Sequence, residues 1–327
     1  MIKFNTPRFW YRSALKPWQK CLIPLNYLYA WGAQCRHAFV TPQKIDIPVI
    51  CIGNLVMGGA GKTPTALALA AWLLERDYKV HFLTRGYGGS EQGPVCVDLK
   101  YHKALQVGDE ALLLAKTAPT WVCKDRVLGA KAAQAAGAQL LIMDDGFQNP
   151  SLFKNLSLVV VDGHQGLGNQ HVFPAGPLRE PLSNGLKRAN GVVIIGQDEH
   201  NIAALSPQLP ILPSVMVPDP ESLELINQKP LIAFAGLGYP EKFFRFLRKN
   251  GGNLIETKQF PDHHPYTPED LHPLIESAQE RGAWLFTTEK DMVRIPNSLQ
   301  SHFKVFKITI KFESDSLLEC FLKPVLG

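Results

Sequence analysis

The segment ICIGNLVMGGAGKTP, Ile50 to Pro64, holds the residue types and spacing best suited to chemistry in this chain. Glycines at 58, 59 and 61 free the backbone to turn its N–H groups inward and cradle phosphates. Gly58, Gly59, Ala60, Gly61, Lys62, Thr63 and Pro64 together form the expected ATP site. Lys62 would reach the β- and γ-phosphates, and the Thr63 hydroxyl would bind Mg²⁺. One spacing departs from the usual phosphate loop. Its first glycine, expected where Val56 stands, has moved to Gly53 or is replaced by Gly58 and Gly59. A second signal is LLIMDD, Leu140 to Asp145: four apolar residues ending in two carboxylates. At the carboxyl end of a strand in an open α/β sheet, Asp144 or Asp145 would hold the metal directly or through water.

Such residues need a scaffold. Short apolar runs predict strands at Pro48–Ile52, Val80–Leu83, Leu140–Met143, Leu158–Val161 and Val192–Ile195. Helical stretches are expected at Thr65–Arg76, Asp109–Lys116 and Arg126–Ala136. Continuous apolar strands alternating with helices imply a parallel sheet with helices on both faces. A smaller α/β unit is expected after Pro218–Pro220. It would hold strands Leu231–Ala235, Leu254–Lys258, Ala283–Phe286 and Lys304–Ile310, with helices Pro240–Lys249 and Pro268–Arg281. The expected divisions are 1–45, 46–220 and 221–327.

The chain has 327 residues, 46% of them hydrophobic and 19% charged, which excludes wholesale disorder. Its net charge of +5 is unevenly spread: Met1 to Ile45 holds seven basic residues and no acidic one. That segment also holds Trp10, Tyr11, Trp18, Leu22, Tyr27, Leu28, Tyr29 and Trp31. Pro24, Asn26 and Gln34 interrupt it, and it is too short in apolar length to span a bilayer. A basic, aromatic helix of this kind fits the membrane interface. The six cysteines lack C-x-x-C spacing and read as free thiols.

Eight motifs occur in order: Gly53-Asn54, Gly58 to Pro64, Arg85 to Gly88, Gly108 to Glu110, Asp144 to Gln148, Pro174 to Pro181, Asp262-His263 and Thr287 to Asp291. Together they resemble the tetraacyldisaccharide 4′-kinase family, over nearly the whole chain. The resemblance implies a P-loop kinase with Mg²⁺ and ATP as co-substrate. It would phosphorylate the 4′-hydroxyl of a tetraacylated glucosamine disaccharide 1-phosphate, giving lipid IV-A. It implies a monomer at the cytoplasmic face of the bacterial inner membrane, with no nucleic-acid partner. By the match, Asp109 is the catalytic base, with His263 its dyad partner and Lys62 the phosphate-binding lysine. Thr63, Asp144, Asp145, Gln148 and Glu180 surround the metal, while Arg85, Tyr87, Arg126 and Arg179 meet substrate or phosphates. His263 is preferred to His264 because it follows Asp262 in the motif. Asn149 stands where the family often has histidine.

Two other readings were weighed. A guanine-nucleotide switch needs Asn-Lys-x-Asp, and the nearest segment, Thr288 to Asp291, does not fit it. A soluble small-molecule kinase would have no use for the N-terminal segment.

Overall fold

The computed structural model describes residues 7–11 and 17–326. Of the expected N-terminal segment, residues 1–6 and 12–16 lie outside it, including the basic Lys3, Arg12 and Lys16.

The strands in chain order are β1 (Val49–Gly53), β2 (Val80–Thr84), β3 (Val95–Cys96), β4 (Thr120–Val122), β5 (Leu140–Asp144), β6 (Leu156–Asp162), β7 (Gly191–Ile195), β8 (Ile211–Pro218), β9 (Leu231–Ala235), β10 (Leu254–Gln259), β11 (Trp284–Thr287), β12 (Phe303–Val305) and β13 (Ile308–Phe312). Nine of them form one sheet in the order β13-β8-β7-β6-β1-β5-β2-β4-β3. Only its two edge pairs, β13 with β8 and β3 with β4, are antiparallel. The central strands are buried on both faces, because helices cover each side. This is why they read as unbroken apolar runs. β1 lies between β5 and β6. The loop after β1 therefore opens beside the end of β5, which carries Asp144.

The second sheet is all parallel, in the order β10-β9-β11-β12. Helices Pro240–Lys249 and Pro268–Glu280 lie near their expected positions. The run Lys304–Ile310, expected as one strand, is broken at Phe306 and Lys307. β12 closes the small sheet, and β13 returns to pair with β8 in the large one. Helix Asp315–Leu326 then packs Leu318 and Leu322 into the large core. The stretch 308–326 thus belongs with the first sheet and not with the expected 221–327 unit. The cause is packing: Ile310 and Phe312 fill the apolar edge beside Leu212.

Helix Ile23–Ala38 turns its polar side inward. Asn26 is buried and accepts a hydrogen bond from the Ala175 N–H at 3.1 Å, and Arg36 donates to the Gln148 carbonyl at 2.8 Å. Tyr27, Leu28 and Trp31 are 72%, 64% and 67% exposed. Among the described residues no helix is long and apolar enough to cross a membrane.

Phe234 is fully buried in the small unit, with ring centroids 5.3 Å from both Tyr266 and Phe303 and 6.0 Å from Phe260. Replacing it with alanine removes those contacts and leaves a cavity. Phe234→Ala should cost about 3–5 kcal/mol, read as a lower urea midpoint.

Candidate active site

The phosphate loop runs from β1 into helix Lys62–Leu74. The helix starts at Lys62, three residues before the expected Thr65, so its first free N–H groups lie at the loop. Gly61 is left-handed, with φ of +94°, and a Cβ there would come within 2.5 Å of Ile195. The positive φ favours glycine; the Ile195 contact is to the end of a flexible side chain. Gly58 also takes positive φ, at +123°. Ala60 is buried, and Pro64 lines the cavity above the loop.

The Thr63 hydroxyl donates to Asp144 Oδ2 at 2.8 Å. The other oxygen of Asp144 is buried with no hydrogen-bond partner. Burial, aided by the nearby Glu110 and Asp145 charges, pushes the Asp144 carboxyl up to about 7. A buried carboxylate with one orphaned oxygen, beside a threonine hydroxyl, fits a divalent cation. Asp145 differs. Its backbone is left-handed, with φ of +52°, and its carboxylate meets Arg179 at 2.9 Å and Lys62 at 3.8 Å. Burial acts to raise its pKa, but Lys62 and Arg179 outweigh that and hold it below the usual carboxylate range.

The other two expected metal ligands are taken. Glu180 is buried and gripped by Arg188 NH2 at 2.6 and 2.7 Å. Gln148 donates to the Asn54 carbonyl at 2.9 Å and to Glu180 at 3.2 Å, and it accepts from Arg179 at 3.3 Å. Of the five residues expected around the metal, Thr63 and Asp144 meet directly and Asp145 is adjacent, while Glu180 and Gln148 are engaged by Arg188, Arg179 and Asn54. A buried carboxylate needs a cation, and Glu180 finds one eight residues along, on helix Leu182–Arg188. Asn149 accepts from Ser151 in a local turn.

Arg126 is buried at the start of helix Arg126–Ala135. It donates to the Cys123 carbonyl, while its Nε has no hydrogen-bond partner. Burial, then repulsion from exposed Arg85, lowers its pKa to about 10. Two guanidinium groups so placed favour a bound anion.

From the second unit, His263 Nδ1 lies 2.9 Å from Asp109 Oδ2, across a separation of 154 residues. His263 adopts a positive φ of +55°, a strained setting for histidine. Its ring lies 5.1 Å from that of Tyr87. His264 turns away and bonds Asp270 at 2.9 Å, in the cap of helix Pro268–Glu280. Asp109 is only 3% exposed, and Oδ1 accepts the Glu110 N–H at 2.9 Å. The carboxylate thus stands behind the imidazole rather than at the cavity wall. Burial acts to raise its pKa, but the His263 hydrogen bond and the charges of Lys290, His263 and Arg294 hold it below the usual range.

One cavity of about 930 Å³ is lined by the phosphate loop, Lys62, Thr63, Asp145, Arg179, Tyr87 and Glu110, and across from them by Asp262, His263 and Lys290. The Thr288 to Asp291 segment cannot read a guanine base. Asp291 is fully buried and accepts from the Gly236 N–H at 2.9 Å, from the Tyr266 hydroxyl at 2.7 Å and from Arg294 at 2.5 Å. Lys290 and Arg294 belong to the site; Lys290 falls within the Thr287 to Asp291 motif, which gives it no role by itself, and nothing local in the sequence marks Arg294.

A parallel sheet with a strand–glycine loop–helix turn, a Lys-Thr pair and a strand-end aspartate defines a P-loop nucleotide-handling enzyme. The family model described as tetraacyldisaccharide-1-P 4′-kinase matches residues 18–326, and the chain belongs to that family. The tetraacyldisaccharide 4′-kinase of Paramagnetospirillum magneticum is 47% identical over 316 residues, covering 96% of each chain. That of Rhodospirillum centenum is 44% identical, covering 99% of this chain and 97% of the relative. The fold is similar to the crystal structure of the "apo" form of Aquifex aeolicus LpxK in complex with ATP. The TM-score is 0.73 at 27% identity, covering 95% of this chain and 100% of that one.

The raised Asp144 carboxyl has a consequence for stability. Its folded pKa lies above the unfolded value near 3.8, so stability is fully present below about 4 and falls as pH rises towards 7. Asp144→Asn keeps an acceptor for Thr63 without the charge. In metal-free buffer it should raise Tm over the unsubstituted chain at pH 8 and give no such gain at pH 4, as read by thermal melts.

Proposed function

We propose that this chain transfers the γ-phosphate of ATP to the 4′-hydroxyl of a tetraacylated glucosamine disaccharide 1-phosphate, forming lipid IV-A. The observation that carries the reading is the single cavity walled by the phosphate loop on one side and His263 on the other. Family membership supplies the acceptor class.

Phosphoryl transfer depends on positioning and charge neutralisation. Lys62 and the N–H groups at the start of helix Lys62–Leu74 receive the phosphates. Mg²⁺, when bound, supplies further charge neutralisation, and Asp144 with the Thr63 hydroxyl would hold it. Arg179, Arg126 and Arg85 offer positive charge for phosphate groups of nucleotide or acceptor. The acceptor hydroxyl is a weak nucleophile until its proton has somewhere to go. The Asp109–His263 pair provides that: the imidazole faces the cavity, and the buried carboxylate orients it and stabilises its charged form, as in other acid–imidazole pairs. Tyr87, beside the ring, forms a wall for the sugar.

The membrane is the proposed source of the acceptor. Helix Ile23–Ala38 bonds the kinase body through Asn26 and Arg36 and presents Tyr27, Leu28 and Trp31 outward. An exposed aromatic face on a helix anchored by its polar side supports seating in the interface of the inner membrane's cytoplasmic leaflet. Acyl chains would stay in the bilayer while the disaccharide reaches the cavity.

The direct test is γ-labelled ATP with the disaccharide 1-phosphate, followed by chromatography of the lipid. Label on the lipid is the expected result, and nucleotide binding with no labelled saccharolipid rejects the reading. Lys62→Ala should abolish transfer. Asp109→Ala and His263→Ala should each lower kcat by roughly 10²–10⁴, with His264→Ala far milder; the reverse order for the two histidines would move the pair. Leu28→Asp with Trp31→Asp should weaken co-sedimentation with anionic vesicles at least about tenfold, since each exposed side chain loses roughly 1.5–3 kcal/mol of burial.

A further inference from the structure

We propose that Lys290 is a positioning residue for the Asp109–His263 pair: its ammonium group, clamped by Glu110, faces His263 Nε2 and keeps the ring's proton on Nδ1, towards Asp109. The inference rests on the kinase reading above and adds a third group to its proton-accepting site.

Three contacts define the arrangement. Lys290 Nζ lies 3.1 Å from Glu110 Oε1 and 3.4 Å from His263 Nε2, while His263 Nδ1 lies 2.9 Å from Asp109. An ammonium group can only donate, so the nitrogen facing it is the acceptor. A carboxylate can only accept, so the nitrogen facing Asp109 carries the proton. The two constraints select the same neutral tautomer. That tautomer leaves Nε2 with a lone pair at the cavity wall, as a proton acceptor requires. The 3.4 Å contact is long, so an entering hydroxyl can replace it while Lys290 keeps its partner Glu110.

The lysine is held by rigid structure. Thr288 caps helix Glu289–Met292: its hydroxyl donates to Asp291 Oδ2 at 2.6 Å and accepts the Asp291 N–H at 3.1 Å. The other Asp291 oxygen is bound by Gly236, Tyr266 and Arg294, in full burial. Arg294 then binds the carbonyls of Lys290 and Gly236, each at 3.1 Å, and that of His264 at 3.3 Å. Its Nε lies 3.5 Å from Asp109 Oδ2. One arginine therefore fixes the lysine's backbone, the segment after His263 and the dyad carboxylate. Burial alone would lower the Lys290 pKa, but Glu110, Asp109 and Asp262 raise it overall, so the cation persists at neutral pH.

The groups facing His263 include Asp109 from helix Asp109–Ala115, Tyr87 from the loop after β2, Asp262 at 3.8 Å on its own loop, and Lys290, with Glu110 and Arg294 one contact further out on Lys290 and Asp109. Removing Lys290 leaves acids dominant around Nε2 and invites a proton onto it.

The test uses the full chain labelled with ¹⁵N-histidine, with His263 assigned by its loss in His263→Gln. At pH 7.5 the unsubstituted chain should show His263 protonated on Nδ1 alone. Lys290→Met should show protonation at Nε2, kcat lower by about tenfold, part of the range a general base contributes, and an acid limb of kcat against pH moved upward by about one unit. Its KM for ATP should change less than about twofold. Lys290→Arg should restore the tautomer and most of kcat. An unchanged tautomer in the methionine variant overturns the proposal. So does a raised KM for ATP at unchanged kcat, which would make Lys290 a nucleotide ligand. If the methionine variant does not fold, Nε2 protonation in the arginine variant overturns it equally. The spectra need no turnover, so failure to phosphorylate the glycolipid rejects the kinase reading separately.

Discussion

A carboxylate taken out of water must meet positive charge or hydrogen-bond donors, and losing one partner of such a pair typically costs about 3–5 kcal/mol. Most of this site follows from that constraint. Glu180 has Arg188, Asp145 has Arg179 and Lys62, Asp162 has Lys242, and Asp291 has Arg294. Asp109 has His263, with Arg294 behind. The Glu180 and Asp291 pairs are local, whereas those of Asp145, Asp162 and Asp109 join segments far apart in the chain. The Lys242–Asp162 and His263–Asp109 pairs also lock the small sheet's unit against the large one. Asp144 and Asp262 each have a buried oxygen with no hydrogen bond, but that of Asp262 lies 3.8 Å from His263 Nε2, whereas Asp144 has no ion-pair partner among the described residues. It is the carboxylate whose missing partner points to a cation from outside the chain.

The local features were legible from residue order alone. A strand, a glycine loop and a helix give the phosphate site, and an apolar run ending in two aspartates gives the adjacent acid. Strands buried on both faces announce themselves as unbroken apolar runs, so the central sheet could be read. The penultimate strand β8 is not legible in this way, because its burial is uneven and it contains prolines at 213 and 218. Lys304–Ile310 reads as a single strand because both halves are β-prone. Which sheet each half joins depends on contacts with β11 and β8, and these are invisible locally.

The site residues divide the same way. Gln148 and Glu180 carry metal-binding chemistry by type. Their engagement is set by Arg188, whose relevance appears only when its helix folds over them. Asp109 could be marked as a first-turn acid but not as a residue sealed behind His263. The N-terminal segment 1–45 reads as interfacial from its aromatics and bases. The inward turn of Asn26, which leaves the aromatics outside, depends on the loop around Ala175, whose N–H donates to it.

The return of β13 to the large sheet shapes how the chain emerges during synthesis. β8 is made well before its neighbour, and the whole small unit intervenes. Throughout that interval β8 offers an unpaired edge of the kind that recruits foreign strands. The small unit, made next, can fold on local parallel pairings, and its completion delivers β13 to the waiting edge across a connection only two residues long. The outer partner of β8 is therefore the last strand of the large sheet to be synthesised, after the unit that carries His263.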